Sequence, residues 1–160
     1  MRRFAVPTLL SAISVLAMSP AADAQSRLER FRSPDLAARG LPLSDLVLTR
    51  NWIVLSGRLG VDPNTGQLGD GVQAQTELAV RGVLDQLLLD GSGYDRIVKC
   101  TAFLADINDY DAFNVAYKTV FDAAAAAARE EPVYPARTTI GVSGLPNGAL
   151  VELDCLARRR

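Results

Sequence analysis

The sequence contains no histidine. That absence removes Ser-His-Asp and Cys-His nucleophilic catalysis, and it removes the imidazole ligands on which most zinc sites depend. Cysteine is nearly as scarce. Cys100 and Cys155 lie far apart and in no CxxC spacing, so a metal centre built on thiolates is not expected. Charge of one sign is not in excess either. Seventeen Lys and Arg against 18 Asp and Glu leave a formal net charge of −1, which gives no basis for holding nucleic acid by counterion release. The arginines that do cluster, Arg2, Arg3 and Arg158 to Arg160, sit at the ends of the chain. Any chemistry falls to carboxylates, Arg, Lys, Tyr, hydroxyls and backbone groups.

What is present is an ordinary globular composition, 49% apolar and 22% charged over 160 residues, which favours one domain. The first 24 residues read as a secretory leader. Arg2 and Arg3 form a charged start, and Phe4 to Met18 is apolar but short and interrupted by Pro7, Ser11 and Ser14. Ala22-Asp23-Ala24 is an A-x-A cleavage site, so the mature chain is expected to begin at Gln25, in a periplasm or outside the cell. No membrane association is expected after cleavage. In such an oxidising compartment Cys100 and Cys155, both in expected strands, could pair. The other reading is two buried free thiols, which cysteine's preference for the interior favours.

Residues 25–40 are polar and arginine-rich and read as an arm, 41–157 as the folded domain, and 158–160 as a basic tail. Leu46 to Thr49 and Trp52 to Ser56, split by Arg50-Asn51, predict a β-hairpin. Gly57 follows, and suits either close approach of a ligand to the backbone or a bulge at the strand end. Asp70 is placed to cap a helix whose apolar positions are Ala79, Val80, Val83, Leu84, Leu87 and Leu88; its glutamines and Glu77 are expected on the solvated face. Ile97 to Leu104 predicts a strand. Asn108 or Asp109 caps a second helix with Phe113, Ala116, Tyr117, Val120 and Phe121 on its core face. The six alanines Ala123 to Ala128 extend that helix. Arg137 to Val142 and Ala149 to Ala157 are the last two strands, and Val151, Leu153, Cys155 and Ala157 alternate with Glu152 and Asp154. The order β-β-α-β-α-β-β predicts an α+β domain with two helices on one face of a mixed sheet. The other face is expected to be covered by further subunits.

Arg137 and Glu152 are the residues with chemistry to offer. Arginine's fork suits a planar carboxylate, and Pro135 precedes it closely with hydroxyls following. Without histidine, a carboxylate on a half-buried strand is the natural proton carrier. A tight hairpin at Asn147-Gly148, however, would set Glu152 opposite Ser143 and leave Arg137 roughly 20 Å further along. The strands then either do not pair directly, or the site is assembled between subunits.

Ser56-Gly57, Asn64-Thr65-Gly66, Phe113-Asn114-Val115-Ala116-Tyr117, Pro135-Ala136-Arg137-Thr138-Thr139, Leu145-Pro146 and Val151-Glu152-Leu153 occur in an order and spacing that resemble the YjgF/RidA family of reactive intermediate deaminases. The resemblance runs from about Leu41 to Ala157. It implies a chorismate-mutase-like fold, a homotrimer with sites in the clefts between subunits, and hydrolysis of 2-imino acids and their enamine tautomers to 2-oxo acids and ammonia without cofactor or metal. By that resemblance Arg137 binds the substrate carboxylate and Glu152 positions the attacking water. Gly57, Asn114 and Thr139 line the substrate, Thr139 standing where many members have cysteine. Leu43 and Arg58 replace a common tyrosine and a common glutamine, so the arginine grip carries over more directly than the substrate range. The second function the resemblance allows is a non-catalytic trimer that binds small carboxylates or acts as a chaperone-like partner.

Overall fold

A computed structural model describes residues 28–159; the expected leader lies outside the described residues. The stretch read as an arm contains two short elements. Strand β1 (Glu29–Phe31) is followed by the single-turn helix α1 (Pro34–Ala38), started by Ser33, whose Oγ accepts from the Leu36 N–H, with proline at the first helical position. Strands β2 (Leu46–Leu48) and β3 (Trp52–Leu55) form the expected hairpin, and Thr49 Oγ1 accepts from the N–H groups of Asn51 and Trp52 in its turn. A two-residue strand β4 (Arg58–Leu59) comes next, then helix α2 (Gly71–Leu89), strand β5 (Ile97–Leu104), helix α3 (Tyr110–Ala128), strand β6 (Ala136–Gly141) and strand β7 (Val151–Arg158).

The sheet order is β1-β2-β3-β7-β5-β6, with β4 beside β7 along the same edge as β3. Only β5 and β6 run parallel, joined across α3; the remaining pairs are antiparallel. Thus β6 and β7 are not hairpin partners, although they are consecutive in sequence. The crossover β5-α3-β6 places β5 between them.

Helices α2 and α3 pack on one face. The core between them and the sheet is built from Val80, Val83, Leu87, Phe113, Val120 and Phe121 against Ile53, Leu104, Val151 and Leu153. The alanine run stays helical to Ala128, with Ala125 fully buried, and the helix ends at Arg129 in the left-handed region at φ 61°. Two glutamines of α2 depart from the expected solvated face. Gln75 and Gln86 are buried. Gln75 spans α2 and the sheet: its Nε2 donates to the Gly69 carbonyl at 3.1 Å and its Oε1 accepts from the Leu150 N–H at 2.7 Å. A buried amide is tolerated where its groups are paired in this way.

Cys100 and Cys155 form a disulfide, which corrects the reading of two free thiols. The two residues are direct cross-strand partners in the β5–β7 register, and this adjacency brings their side chains together where burial alone would have left thiols. The expected basic tail is also partly structural. β7 runs through Arg158, and Arg159 pairs with Glu29 at 3.5 Å and Asp90 at 3.6 Å.

The face away from the helices carries Val54, Phe103, Ile140 and Leu156 among Thr101, Glu152 and Asp154. Val54 and Ile140 are 44% and 43% exposed, so within one chain this apolar surface has no cover.

Candidate functional site

The site residues fall into two groups on the two faces of the sheet. Helix α3 presents Tyr110, Asn114, Tyr117 and Lys118 along one side, the spacing that aligns side chains on a helix. Beneath it lies the edge strand β6. Its residues alternate, so Arg137 and Thr139 face the helix while Thr138 and Ile140 face away. Together with Tyr134 and Pro135 these residues line an open cleft of about 660 Å³.

Arg137 is held in that cleft by contacts that leave its charge unneutralised. Its guanidinium donates to Asn114 Oδ1. It lies over the rings of Tyr117, Phe113 and Tyr110, at 4.7, 4.9 and 5.9 Å from their centroids. No carboxylate among the described residues stands within ion-pair distance of it. A cation oriented by an amide and aromatic faces, at an open cleft, is arranged to take an external carboxylate. At the rim, Tyr134 donates to Asp122, which also pairs with Lys118.

The second group surrounds Glu152. Between Val54↔Leu156 and Arg58↔Leu153 the register slips by one residue, so Ser56-Gly57 forms a bulge beside β7. Gly57 faces the Glu152 carboxylate so closely that a Cβ there would lie 1.9 Å from Oε1 and 2.8 Å from Cδ. The structure thus gives Gly57 the place of a bulge, and the group that approaches its backbone closely is the Glu152 side chain. Ser56 fixes the bulge, its N–H donating to the Asp45 carbonyl at 3.0 Å and its hydroxyl to the Ser44 carbonyl at 2.6 Å. Burial, and then the neighbouring charge of Asp154, raise the Glu152 carboxyl above the usual glutamate value. Leu43 is exposed on the loop that leads to Ser44. Arg58 points to the helix side in register with Leu153. There it donates to Gln86 and pairs with buried Asp45 at 3.5 Å, and desolvation lowers its pKa. It is thus a scaffold for the bulge and does not face Glu152.

One chain does not bring Arg137 and Glu152 together. Arg137 is in register with Cys100 and Cys100 with Cys155. Glu152, three residues from Cys155, therefore points from the opposite face. Two strand spacings and three residue steps separate their backbones, roughly 14 Å, which replaces the 20 Å expected for a hairpin. The structure joins Arg137, Asn114 and Thr139 in one group and Gly57 with Glu152 in another.

Sequence reasoning missed the tyrosines. The Phe113-Tyr117-Phe121 stripe reads as core, and its rings do pack together, Phe113 tilted on Tyr117 at 5.5 Å and Tyr117 stacked on Phe121 at 4.7 Å between centroids. The same stripe also brackets Arg137. The usable signal was Tyr110, Asn114 and Tyr117 at helical spacing, just upstream of an arginine on the next strand. Asp45 carried no signal, because its role depends on a contact with Arg58.

The sequence model of the family described as Endoribonuclease L-PSP matches residues 36–159. A 2-iminobutanoate/2-iminopropanoate deaminase of Capra hircus is 37% identical over 117 residues, covering 72% of this chain and 79% of that one. The protein of the same name in Homo sapiens is 34% identical over the same shares. Among solved structures, TdcF of E. coli with bound serine superposes with a TM-score of 0.68 at 29% identity, over 75% of this chain and 90% of the other. The YjgF gene product of E. coli gives 0.67 at 30% identity, over 74% and 89%.

Proposed function

This chain belongs to the Endoribonuclease L-PSP family, the group of the YjgF/RidA deaminases, and we propose that it hydrolyses 2-imino acids and their enamine tautomers to 2-oxo acids and ammonia. The observation that carries this reading is Arg137, a cation oriented by Asn114 and three aromatic rings, with no carboxylate partner among the described residues, at an open cleft. In this reading the substrate carboxylate seats on Arg137, which fixes the position of the imine carbon. Glu152, ionised, accepts a proton from a water as its oxygen attacks that carbon. That proton passes to the nitrogen and leaves a carbinolamine; its hydroxyl proton then follows to the nitrogen as the C–N bond breaks, ammonia leaves, and the carbon becomes the 2-oxo group. Water supplies the oxygen and two of ammonia's three hydrogens, the third being the imine's own, so no redox partner or cofactor is required.

Because Arg137 and Glu152 lie on opposite faces of one sheet, the reading places the reaction between copies of the chain. Glu152 and Gly57 of one copy would face the Arg137 cleft of the next. A homotrimer closing on the uncovered sheet face supplies such clefts and covers Val54, Ile140 and Leu156. The bound serine named for TdcF supports a small amino-acid-like carboxylate as the ligand class. The leader-like N-terminus and the Cys100–Cys155 disulfide support an exported protein. Its imines would then arise outside the cytoplasm. The net charge of −1 gives the nuclease reading of the family's description no support.

The test is decay of 2-iminopropanoate and 2-iminobutanoate generated by an amino-acid oxidase. Purified protein accelerates the decay and Arg137→Ala loses the effect. Carboxylate binding with no acceleration of any 2-imino acid would replace this reading with that of a non-catalytic binding protein.

A further inference from the structure

Two buried hydroxyls of the Arg137 cleft have no hydrogen-bond partner among the described residues. Tyr117 Oη and Thr139 Oγ1 are both shielded from solvent, and neither meets a donor or acceptor among the described residues. Tyr117 as a whole is only 4% exposed. The neighbouring hydroxyls differ. Thr138 Oγ1, on the far face of β6, accepts from Lys99 at 2.5 Å, Thr119 Oγ1 donates to the Val115 carbonyl at 2.9 Å, and Tyr134 donates to Asp122. Among the described residues, the buried hydroxyls left unpaired are the two that flank Arg137.

Their placement is specific. Thr139 lies two residues beyond Arg137 on β6, so both side chains leave the same face about 7 Å apart along the strand. The Tyr117 ring lies against the Arg137 guanidinium, 4.7 Å from its centroid. All three residues line one cleft. Buried polar groups in folded proteins are almost always paired, and an unpaired pair beside an uncompensated cation is accounted for by a ligand that pairs them. An ionised carboxylate is acceptor-only, with about four lone-pair positions. Arginine's parallel N–H groups occupy one side of it and leave positions open to other donors.

We propose that Tyr117 and Thr139 are specificity-determining donors of the Arg137 site, their hydroxyl hydrogens completing with Arg137 a cradle around the ligand's α-carboxylate. This deepens the deaminase reading and rests on it for the ligand class, a 2-oxo or 2-imino acid with a free carboxylate. It also makes the side chain of Thr139, a residue that lines the substrate by the resemblance, a donor to the carboxylate. Burial pushes the Tyr117 phenol up to about 12 despite the opposing charge of Arg137, so the hydroxyl keeps its proton and can donate.

The experiment measures binding of 2-oxobutanoate and of its methyl ester by calorimetry, with melting temperatures of the free proteins. The variants are Thr139→Val, Thr139→Ser and Tyr117→Phe, chosen to change few atoms. Thr139→Val and Tyr117→Phe each weaken 2-oxobutanoate binding roughly tenfold or more, as for a hydrogen bond to a charged group. Thr139→Ser binds like wild type, and the ester shows no such differences. A purely structural role would lower the melting temperature; here the free variants melt at or above wild type, because an unpaired buried hydroxyl is removed. Wild-type affinity in both variants overturns the proposal, and if imine turnover is present the deaminase reading survives that result. Weakened binding in both, with no imine turnover in wild type, upholds the cradle and removes the deaminase reading. If wild type binds no 2-oxo acid, the cradle falls and imine turnover alone decides the deaminase reading.

Discussion

Arg137 and Glu152 occupy opposite faces of one sheet, the first in register with Cys100 on β5 and the second with Phe103. The two halves of the chemistry are thereby separable by mutation. Arg137→Ala removes the carboxylate grip and weakens 2-oxobutanoate binding by about 100-fold, the scale of a charge-assisted bidentate contact. Glu152→Gln leaves that affinity within about threefold and abolishes turnover. Calorimetry and the imine-decay assay read the two effects independently, and loss of binding in Glu152→Gln would contradict the division of labour.

Gly57 is the most sensitive position near Glu152. A methyl group there would lie 1.9 Å from Oε1, the far end of a flexible side chain. Gly57→Ala therefore turns the carboxylate aside without disturbing the core. Turnover falls by at least about tenfold, as for a displaced catalytic group, while the melting temperature stays near wild type. Equal kcat in Gly57→Ala and wild type would show that the carboxylate position seen here is not the working one.

The pH profile follows from the environment of Glu152. Its carboxyl is raised, first by burial and second by Asp154, whereas in the unfolded chain a glutamate titrates at about 4.3. Between those values the folded protein binds more protons than the unfolded one, so this group's contribution to stability is full below the unfolded pKa and is lost as pH rises through the folded pKa. Glu152→Gln should accordingly be stabilising at pH 7 relative to its effect at pH 4. Turnover requires the ionised form, so the acid limb of kcat lies above the ordinary glutamate range. Asp154→Asn moves that limb to lower pH; a limb unmoved by Asp154→Asn would assign it to another group.

Local patterns in the sequence reached as far as the elements and stopped at their arrangement. Ala79, Val80, Val83 and Leu87 define α2 because one helical stripe must face the core, and Ile97 to Leu104 marks β5 to its ends. The alanine run continues α3 because nothing in it interrupts a helix. The placement of β5 between β6 and β7 depends on a crossover, which spacing along the chain does not encode. The Cys100–Cys155 bond depends on that same placement, as does the separation of Arg137 from Glu152. Gln75 and Gln86 look like surface residues until their partners, Leu150 and Arg58, are brought to them by the fold.

The Cys100–Cys155 disulfide spans 55 residues of sequence and ties the adjacent strands β5 and β7. Such a bond typically stabilises a fold by about 2–4 kcal/mol, chiefly by constraining the unfolded chain. Cys100→Ala with Cys155→Ala should lower the urea-unfolding free energy by that amount, and alkylation of the denatured wild-type protein should add mass only after reduction. Alkylation before reduction would contradict the bond.

The most direct test of a site shared between copies is complementation. Arg137→Ala and Glu152→Gln chains are each inactive alone, yet a neighbouring pair of them contains one intact Arg137 cleft and one intact Glu152 face. Co-expressed at equal levels with separable tags, and purified as mixed assemblies, they should recover about a third of wild-type imine hydrolysis, because every mixed cyclic trimer contains one intact site in three. Mixed assemblies with no activity above that of the parents would contradict the shared site.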